Sequence, residues 1–215
     1  MKDKEYHIQK VKGKETEFDD PNFWNEIPSL VIDNYLWMNN KYEPKVEAKI
    51  CYSDKYLFVY FNAHEKEITT TYTKINDPVY KDSCVEFFVN LFPNETNEYF
   101  NFEVNAIGTM YVGFGAIGNR KVLAEDDVNK IEIRSTIKKP IVGTYGNNNW
   151  EVFCKIPFSI FENNYKLKFN SNAAKGNLYK CGDDTKYEHY GTWNNIISKK
   201  PNFHLPNYFG NLMFL

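Results

Sequence analysis

The chain has 215 residues, of which 42% are hydrophobic and 17% aromatic, and its formal net charge is -2 at pH 7. This length and composition are typical of one folded domain and argue against a disordered or fibrous protein. A charge so close to zero gives no support for binding to nucleic acid or to an anionic membrane, and no stretch approaches the roughly 20 apolar residues that span a bilayer.

Alternating apolar and polar residues predict strands from the first residues on. Residues 6–11 predict an opening strand, and residues 28–37 a short strand followed by a loop. The clearest alternation covers residues 46–52, and a tight turn at 53–55 joins it to a central strand over 56–62, which together predict a hairpin. Residues 64–77 are polar and predict a loop or an irregular edge.

Residues 80–115 predict a long hairpin that runs into a third strand. Strand alternation places Val85, Phe87 and Val89 on a core face of the first arm, and Phe100, Phe102 and Val104 on that of the second. The opposite face of the two arms carries polar and ionisable residues, namely Glu86, Asn90, Asn101, Glu103 and Asn105. We therefore expect a polar surface on one side of this hairpin.

The second half of the chain continues the strand pattern. We expect a charged connection over 119–129, a strand over 131–136, a turn over 143–149, a strand over 150–156, a single helical turn at most over 157–161, a strand over 165–169, a loop-rich region over 180–206 and a final strand over 210–215. Nine or ten strands with almost no helix predict an all-β fold, a single antiparallel β-sandwich of the jelly-roll or immunoglobulin-like kind. We assign residues 1–215 to one domain.

Four cysteines, Cys51, Cys84, Cys154 and Cys181, stand singly, and three of them fall in strand-like segments. We expect buried thiols rather than disulfides. The first residues, MKDKEYHIQKVKGKETEF, contain no apolar run of the kind found in signal peptides, which predicts a cytoplasmic location. The oligomeric state stays open at this stage.

A late polar loop over 178–196 brings several functional side chains together: Asp183, Asp184, Glu188, His189, Tyr190, Trp193 and Asn194. A tryptophan beside amides and carboxylates is typical of a sugar platform, because pyranose C–H groups stack on rings while the hydroxyl groups need polar partners. The equally weighted alternative is that Trp193 packs over the end of the sandwich.

Five segments in this order resemble the family 9 carbohydrate-binding modules, in the family 9-like branch with a DOMON-type β-sandwich: VYKDSCVEFFVN, YFNFEVNAIGTMYVGFG, WEVFCKIPFSIF, NLYKCGDDTKYEHYGTWNNI and PNFHLPNYFGNLMF. The resemblance extends from about Trp24 to the C-terminus. It implies a sandwich that binds a mono- or oligosaccharide without cleaving it, with a terminal sugar held between two aromatic rings.

The resemblance also implies site residues. Tyr80 and Trp193 match the two ring positions, and Glu86 and Asn105 match positions that hydrogen-bond sugar hydroxyls. To this ligand-binding set we add two residues from the neighbouring loops, Asp82 and His189. Some members hold structural calcium, for which the candidates here are Asp126-Asp127 and Asp183-Asp184. No catalytic residue and no other cofactor is implied.

Four alternatives remain. A glycoside hydrolase could use two of Asp82, Glu86 and Glu103, since hydrolysis needs two carboxyl groups about 5 to 10 Å apart. A protein-interaction domain that has lost sugar binding fits the same sequence. Haem ligands are available in His64, Met110, His189 and His204. Zinc could be held by Cys84, Cys154, Cys181 and His189, although these residues lack paired ligand spacing.

Overall fold

A computed structural model describes residues 3–12, 15–170 and 172–215. Fourteen strands lie in these ranges: β1 (Glu5–Lys10), β2 (Leu30–Ile32), β3 (Asn34–Tyr35), β4 (Lys45–Tyr52), β5 (Tyr56–Thr70), β6 (Cys84–Asn90), β7 (Tyr99–Asn105), β8 (Met110–Ala116), β9 (Asn119–Val122), β10 (Glu132–Ser135), β11 (Ile141–Pro157), β12 (Ala173–Cys181), β13 (Tyr190–Thr192) and β14 (Gly210–Phe214). Two α-helices, α1 (Glu125–Val128) and α2 (Phe158–Tyr165), accompany them, with short 3₁₀ helices at Pro21–Trp24, Val79–Lys81 and Pro206–Tyr208.

The strands form two layers. The first sheet has the order β10-β11-β5-β4, with β2 also paired to β4. The second has the order β14-β12-β6-β7-β8-β9, with β13 on β12 and β3 on β13. Strand β1 is parallel to β14 through residues 5–8 and parallel to β4 through residues 9–10, so it joins the layers into one curled sheet. The all-β sandwich is confirmed, and the described strand pairs are antiparallel except those of β1.

The core lies between the two sheets and follows the strand alternation. Val85, Phe87 and Val89 of β6 are buried there, beside Phe100 and Phe102 of β7. The rings of Phe100 and Phe102 stack with centres 5.4 Å apart. Because successive side chains of a strand point to opposite faces, the polar residues of β6 and β7 lie on the outer surface of the second sheet.

The longest strand pair, β5 with β11, differs from the sequence expectation. Strand β5 continues to Thr70, so its polar part over 64–70 is strand rather than loop. It pairs with β11, which includes the expected turn over 143–149 and carries two register shifts there. The polar pattern was misleading because Glu65 and Glu67 are buried on this strand, where apolar residues would be the usual signal.

Two further regions are more regular or differently placed than expected. Helix α2 has eight residues and buries Phe158, Ile160, Phe161 and Tyr165. Lys166, whose φ of 59° is left-handed, caps its C-terminal end. The predicted strand over 165–169 does not form, because Tyr165 belongs to this helix. The charged connection over 119–129 contains β9 and α1. The region 180–206, which was expected to be loop, includes the end of β12 and all of β13. Neither helix in the described ranges is long and apolar enough to cross a membrane.

Candidate ligand-binding site

A cavity of about 520 Å³ opens on the outer face of the second sheet. Its base is formed by the polar face of the predicted hairpin, with Glu86 from β6 and Asn101 and Glu103 from β7. The other residues that line it are Asn76, Pro78, Tyr80, Phe88, Tyr111, Arg120, Cys181, Asp183, Tyr190, Pro201, Asn202, Phe203 and His204. Strand alternation therefore places a polar base beneath largely aromatic walls.

Two carboxyl groups dominate the base. Glu86 and Glu103 are opposite each other across β6 and β7, and are 3% and 5% exposed. Burial raises the pKa of Glu86, and the neighbouring Cys181 and Glu103 raise it further. Burial also raises the pKa of Glu103, to about 7, although a hydrogen bond from Asn101 and the nearby Arg120 charge lower it. Protonated carboxyl groups at the base can donate hydrogen bonds as well as accept them.

Arg120 supplies a positive charge at the wall. Its guanidinium donates hydrogen bonds to the Gly115 carbonyl, at 2.6 Å, and to Asn101 Oδ1, and it lies 4.0 Å from the centre of the Tyr99 ring. Asn101 in turn donates to Glu103 Oε1 at 2.7 Å. A Cβ atom at Gly113 would be 2.4 Å from Asn101 Oδ1, so glycine is needed for the Asn101 side chain to lie flat against β8.

Aromatic side chains form the walls. Tyr80, which is 37% exposed, belongs to the 3₁₀ helix Val79–Lys81, and its carbonyl accepts a hydrogen bond from the Asp183 N–H at 3.3 Å. Phe203 stacks on Tyr179, with ring centres 4.2 Å apart and planes at 11°. These contacts position the Tyr80 backbone and the Phe203 ring beside the polar base.

His204 contributes a neutral ring to the wall. Burial, together with the Arg120 charge, lowers the pKa of His204 to about 4. The Tyr99 hydroxyl lies 2.9 Å from its Nδ1, and the neutral ring can accept that hydrogen bond.

Tyr80 and Glu86, two of the predicted ligand-binding residues, line the cavity, whereas Asp82 and Asn105 lie beneath it. Both Asp82 and Asn105 are fully enclosed. Asp82 accepts hydrogen bonds from the N–H groups of Thr71, at 2.9 Å, and Tyr72, at 3.0 Å, and from Asn105 Nδ2, at 2.8 Å. Asn105 Oδ1 accepts from the backbone at Thr109. The polar atoms of this pair hold the protein backbone rather than face the cavity.

His189 is buried between the sheets and does not line the cavity. Its Nδ1 lies 2.6 Å from the Tyr187 carbonyl, and the Lys180 ammonium lies 2.8 Å from its Nε2. Burial and the Lys180 charge lower the pKa of His189, although Glu65 raises it. With a neutral ring, Nδ1 donates to the Tyr187 carbonyl and Nε2 accepts from Lys180, so His189 bonds protein groups away from the cavity, which corrects the expectation that it faces a ligand there.

Trp193 is also placed away from the cavity. It is 4% exposed and belongs to the core between the sheets. A Cβ atom at Gly210 would lie 2.7 Å from its ring, and its backbone N–H bonds the Leu178 carbonyl at 2.9 Å. Trp193 is therefore a packing residue of the sandwich, which is the alternative interpretation given above. An indole buries more apolar area there than in a loop.

The haem candidates are dispersed, whereas two of the four zinc candidates, Cys84 and Cys181, are opposite each other on β6 and β12. His64 is exposed on β5, Met110 is in the core and His204 is at the cavity. All four cysteines are free and buried, as expected. Of the calcium candidates, Asp127 pairs with Lys130 and Asp184 pairs with Lys81. The calcium site stays a prediction.

Sequence reasoning identified the polar face but missed part of the walls. Arg120 was assigned to a charged connection, and Tyr111, Asn202 and Phe203 were not singled out. One signal for Arg120 was present. Gly113 and Gly115 stand on the outward face of β8, where a missing side chain leaves room for a neighbouring group to cross the strand.

A family model described as carbohydrate-binding family 9 matches residues 20–214. An extracellular protein of Arthroderma benhamiae is 25% identical over 188 residues, which cover 80% of this chain and 79% of that protein. A crystal structure of a Bacteroides uniformis protein, described as a candidate for carbohydrate binding, has a TM-score of 0.89 and 27% identity and covers 99% of this chain and 100% of that chain.

A family 9 module of Caldicellulosiruptor kristjanssonii in complex with glucose has a TM-score of 0.65 and 12% identity, and covers 99% of this chain and 96% of that one. In complex with cellotriose the values are 0.61 and 13%, over 98% and 93% of the two chains. At this level of identity the likeness to the module concerns the fold.

Proposed function

Since the chain belongs to carbohydrate-binding family 9, we propose that it binds a mono- or oligosaccharide in the cavity on its second sheet, without cleaving it. The observation that carries this proposal is the pairing of a polar base with aromatic walls in one cavity. A volume of about 520 Å³ lies within the range of small-molecule sites and accommodates one or two sugar rings.

The sugar contacts follow from the chemistry of the lining. A pyranose ring stacks its C–H face on the exposed Tyr80 ring, and its hydroxyl groups reach Asn101 and Glu103 at the base. Carboxyl and amide groups suit hydroxyls because each of them can accept a hydrogen bond and, when protonated or as NH₂, donate one. Tyr111 and Phe203 are the candidates for the second ring, in place of the buried Trp193.

Isothermal titration tests the proposal, starting with glucose and cellotriose and extending to a panel of mono- and disaccharides. We expect a dissociation constant between about 1 μM and 1 mM. Tyr80→Ala should weaken binding about fivefold, because a ring contact contributes about 1 kcal/mol. The matched control is Tyr145→Ala, which removes an exposed tyrosine outside the cavity and should leave affinity unchanged.

Glu103→Ala examines the base of the cavity. Removing a group that pairs with sugar hydroxyls should weaken binding about tenfold, whereas Glu95→Ala, in an exposed turn, should not. Folded protein that gives no heat with any sugar would favour the interaction-domain alternative. Shortened products after long incubation, detected by mass spectrometry, would instead favour a glycoside hydrolase that uses Glu86 and Glu103.

A further inference from the structure

Two cysteines and a glutamate meet at the base of the cavity. Cys84 of β6 and Cys181 of β12 are opposite each other in the strand register. Glu86 follows Cys84 by two residues on β6 and therefore faces the same side of the sheet. The thiol sulfurs of the two cysteines and a carboxylate oxygen of Glu86 all lie within 4.8 Å of one another. The sequence offered both cysteines as zinc candidates, but it could not show that they meet Glu86, because the two cysteines are on strands far apart in the chain.

The Glu86 carboxyl group lacks a cationic partner. It is 3% exposed, and the one side-chain hydrogen bond that it makes within the described residues comes from the Cys181 thiol at 3.0 Å. The ion pairs of the described residues do not include it, in contrast to Glu65, which is equally buried but paired with Lys180. Glu86 is thus a buried carboxyl group without a compensating charge, and a cation bound beside it would favour its ionised form.

We propose that Cys84, Glu86 and Cys181 bind a thiophilic divalent cation, with Zn²⁺ as the physiological candidate. Zinc takes thiolate and carboxylate ligands in a tetrahedral arrangement, with bonds of about 2.3 Å to sulfur and about 2.0 to 2.2 Å to oxygen. Such bonds place ligand atoms about 3.5 to 3.8 Å apart, so each group here needs to move by about 1 Å or less.

The fourth coordination position faces the cavity, because both Glu86 and Cys181 line it. Water can fill that position, which also provides the entry path for the metal. Binding releases the protons of the two thiols and any proton on Glu86 to solvent, and leaves a complex of net charge -1. Metal binding at this site requires no sugar, so its test does not depend on whether the proposed sugar binding is correct.

Titration of the fully reduced protein with Cd²⁺, without sugar, tests this proposal through the ultraviolet thiolate-to-metal charge-transfer band. We expect the band to saturate at one Cd²⁺ per chain and Zn²⁺ to displace it. Cys84→Ser, Cys181→Ser and Glu86→Gln should each weaken binding by about tenfold or more, because each removes a ligand. Cys51→Ser is the matched control: this buried thiol belongs to a separate cluster and should be dispensable.

A reduced, folded wild-type protein without the band overturns the proposal, as does a band that persists in both Cys84→Ser and Cys181→Ser. If these variants do not fold, X-ray absorption of the zinc-loaded wild-type protein decides the question. Two sulfur ligands with oxygen in the remaining positions support the site, and a shell of oxygen and nitrogen alone contradicts it.

Discussion

Asp82 supports the cavity from below at the level of a single residue. Its carboxylate accepts hydrogen bonds from the backbone of Thr71 and Tyr72, from the Thr71 hydroxyl and from Asn105. We expect Asp82→Ala to lower the free energy of unfolding by about 3 kcal/mol, because several buried donors would lose their acceptor. Urea unfolding measures this loss.

The matched control for this prediction is Asp126→Ala, which removes an exposed carboxylate and should leave stability within about 0.5 kcal/mol of wild type. If Asp82→Ala instead kept full stability and lost only ligand binding, Asp82 would contact the ligand as the sequence first predicted.

Strand alternation was sufficient to predict which side chains form the base of the cavity. Glu86, Asn101 and Glu103 fall on the outward face because every second residue of a strand does. It was not sufficient for Asn105, which is on the same face but bonds the backbone at Tyr72 and Thr109. Trp193 could not be assigned either, since an indole beside polar residues suits a surface platform and a core position alike.

At the scale of elements, a buried ion pair connects β12 of the second sheet to β5 of the first. The Lys180 ammonium contacts Glu65 and donates hydrogen bonds to His189 Nε2 and to the Cys181 carbonyl, both at 2.8 Å. Glu65→Gln should destabilise the protein by about 3 to 5 kcal/mol, because it leaves the Lys180 charge buried without its partner. Chemical denaturation measures the effect.

The double variant Glu65→Leu/Lys180→Met separates the cost of an unpaired charge from the net contribution of the pair. Replacing both groups with apolar side chains should recover most of the stability lost in Glu65→Gln. A double variant that is as unstable as Glu65→Gln would show that the pair itself stabilises the sandwich.

The same pair predicts a pH dependence. Burial raises the pKa of Glu65, but Lys180 and His189 lower it by more, to about 2, compared with an ordinary 4.5. The folded state thus favours the ionised carboxylate. The stability that it contributes is complete above pH 4.5 and is lost as the pH falls from 4.5 toward 2. The urea midpoint of the wild type should fall across this interval more steeply than that of the double variant, and equal slopes would contradict the assignment.

Element boundaries were predictable where hydrophobic periodicity was clean, as in β4, β6 and β7. The extension of β5 beyond Asn62 was not, because its buried positions include the charged Glu65, whose partner is 115 positions further along the chain at Lys180. Helix α2 was underestimated because its apolar residues also fit a short strand-like run. In both cases the local sequence pattern fits more than one secondary structure, and contacts with the rest of the protein select the one that forms.

For the whole molecule, composition and alternation were enough to predict an all-β sandwich. They could not predict how the sheets close, since β1 pairs in parallel with β14 and with β4, which are remote in sequence. Within the second sheet, strand alternation leaves a polar face outward, where the cavity forms. The assignment of residues 1–215 to one domain stays a prediction.

The central claim, that a sugar occupies this cavity, is tested most directly by nuclear magnetic resonance of the ¹⁵N-labelled protein during titration with cellotriose, or with the tightest-binding sugar of the panel. We expect shifts concentrated at Tyr80, Glu103, Tyr111 and Arg120, with the indole N–H of the buried Trp193 unchanged. Shifts that centre on Trp193, or on a surface away from the second sheet, would contradict the account, as would an unchanged spectrum at saturating sugar.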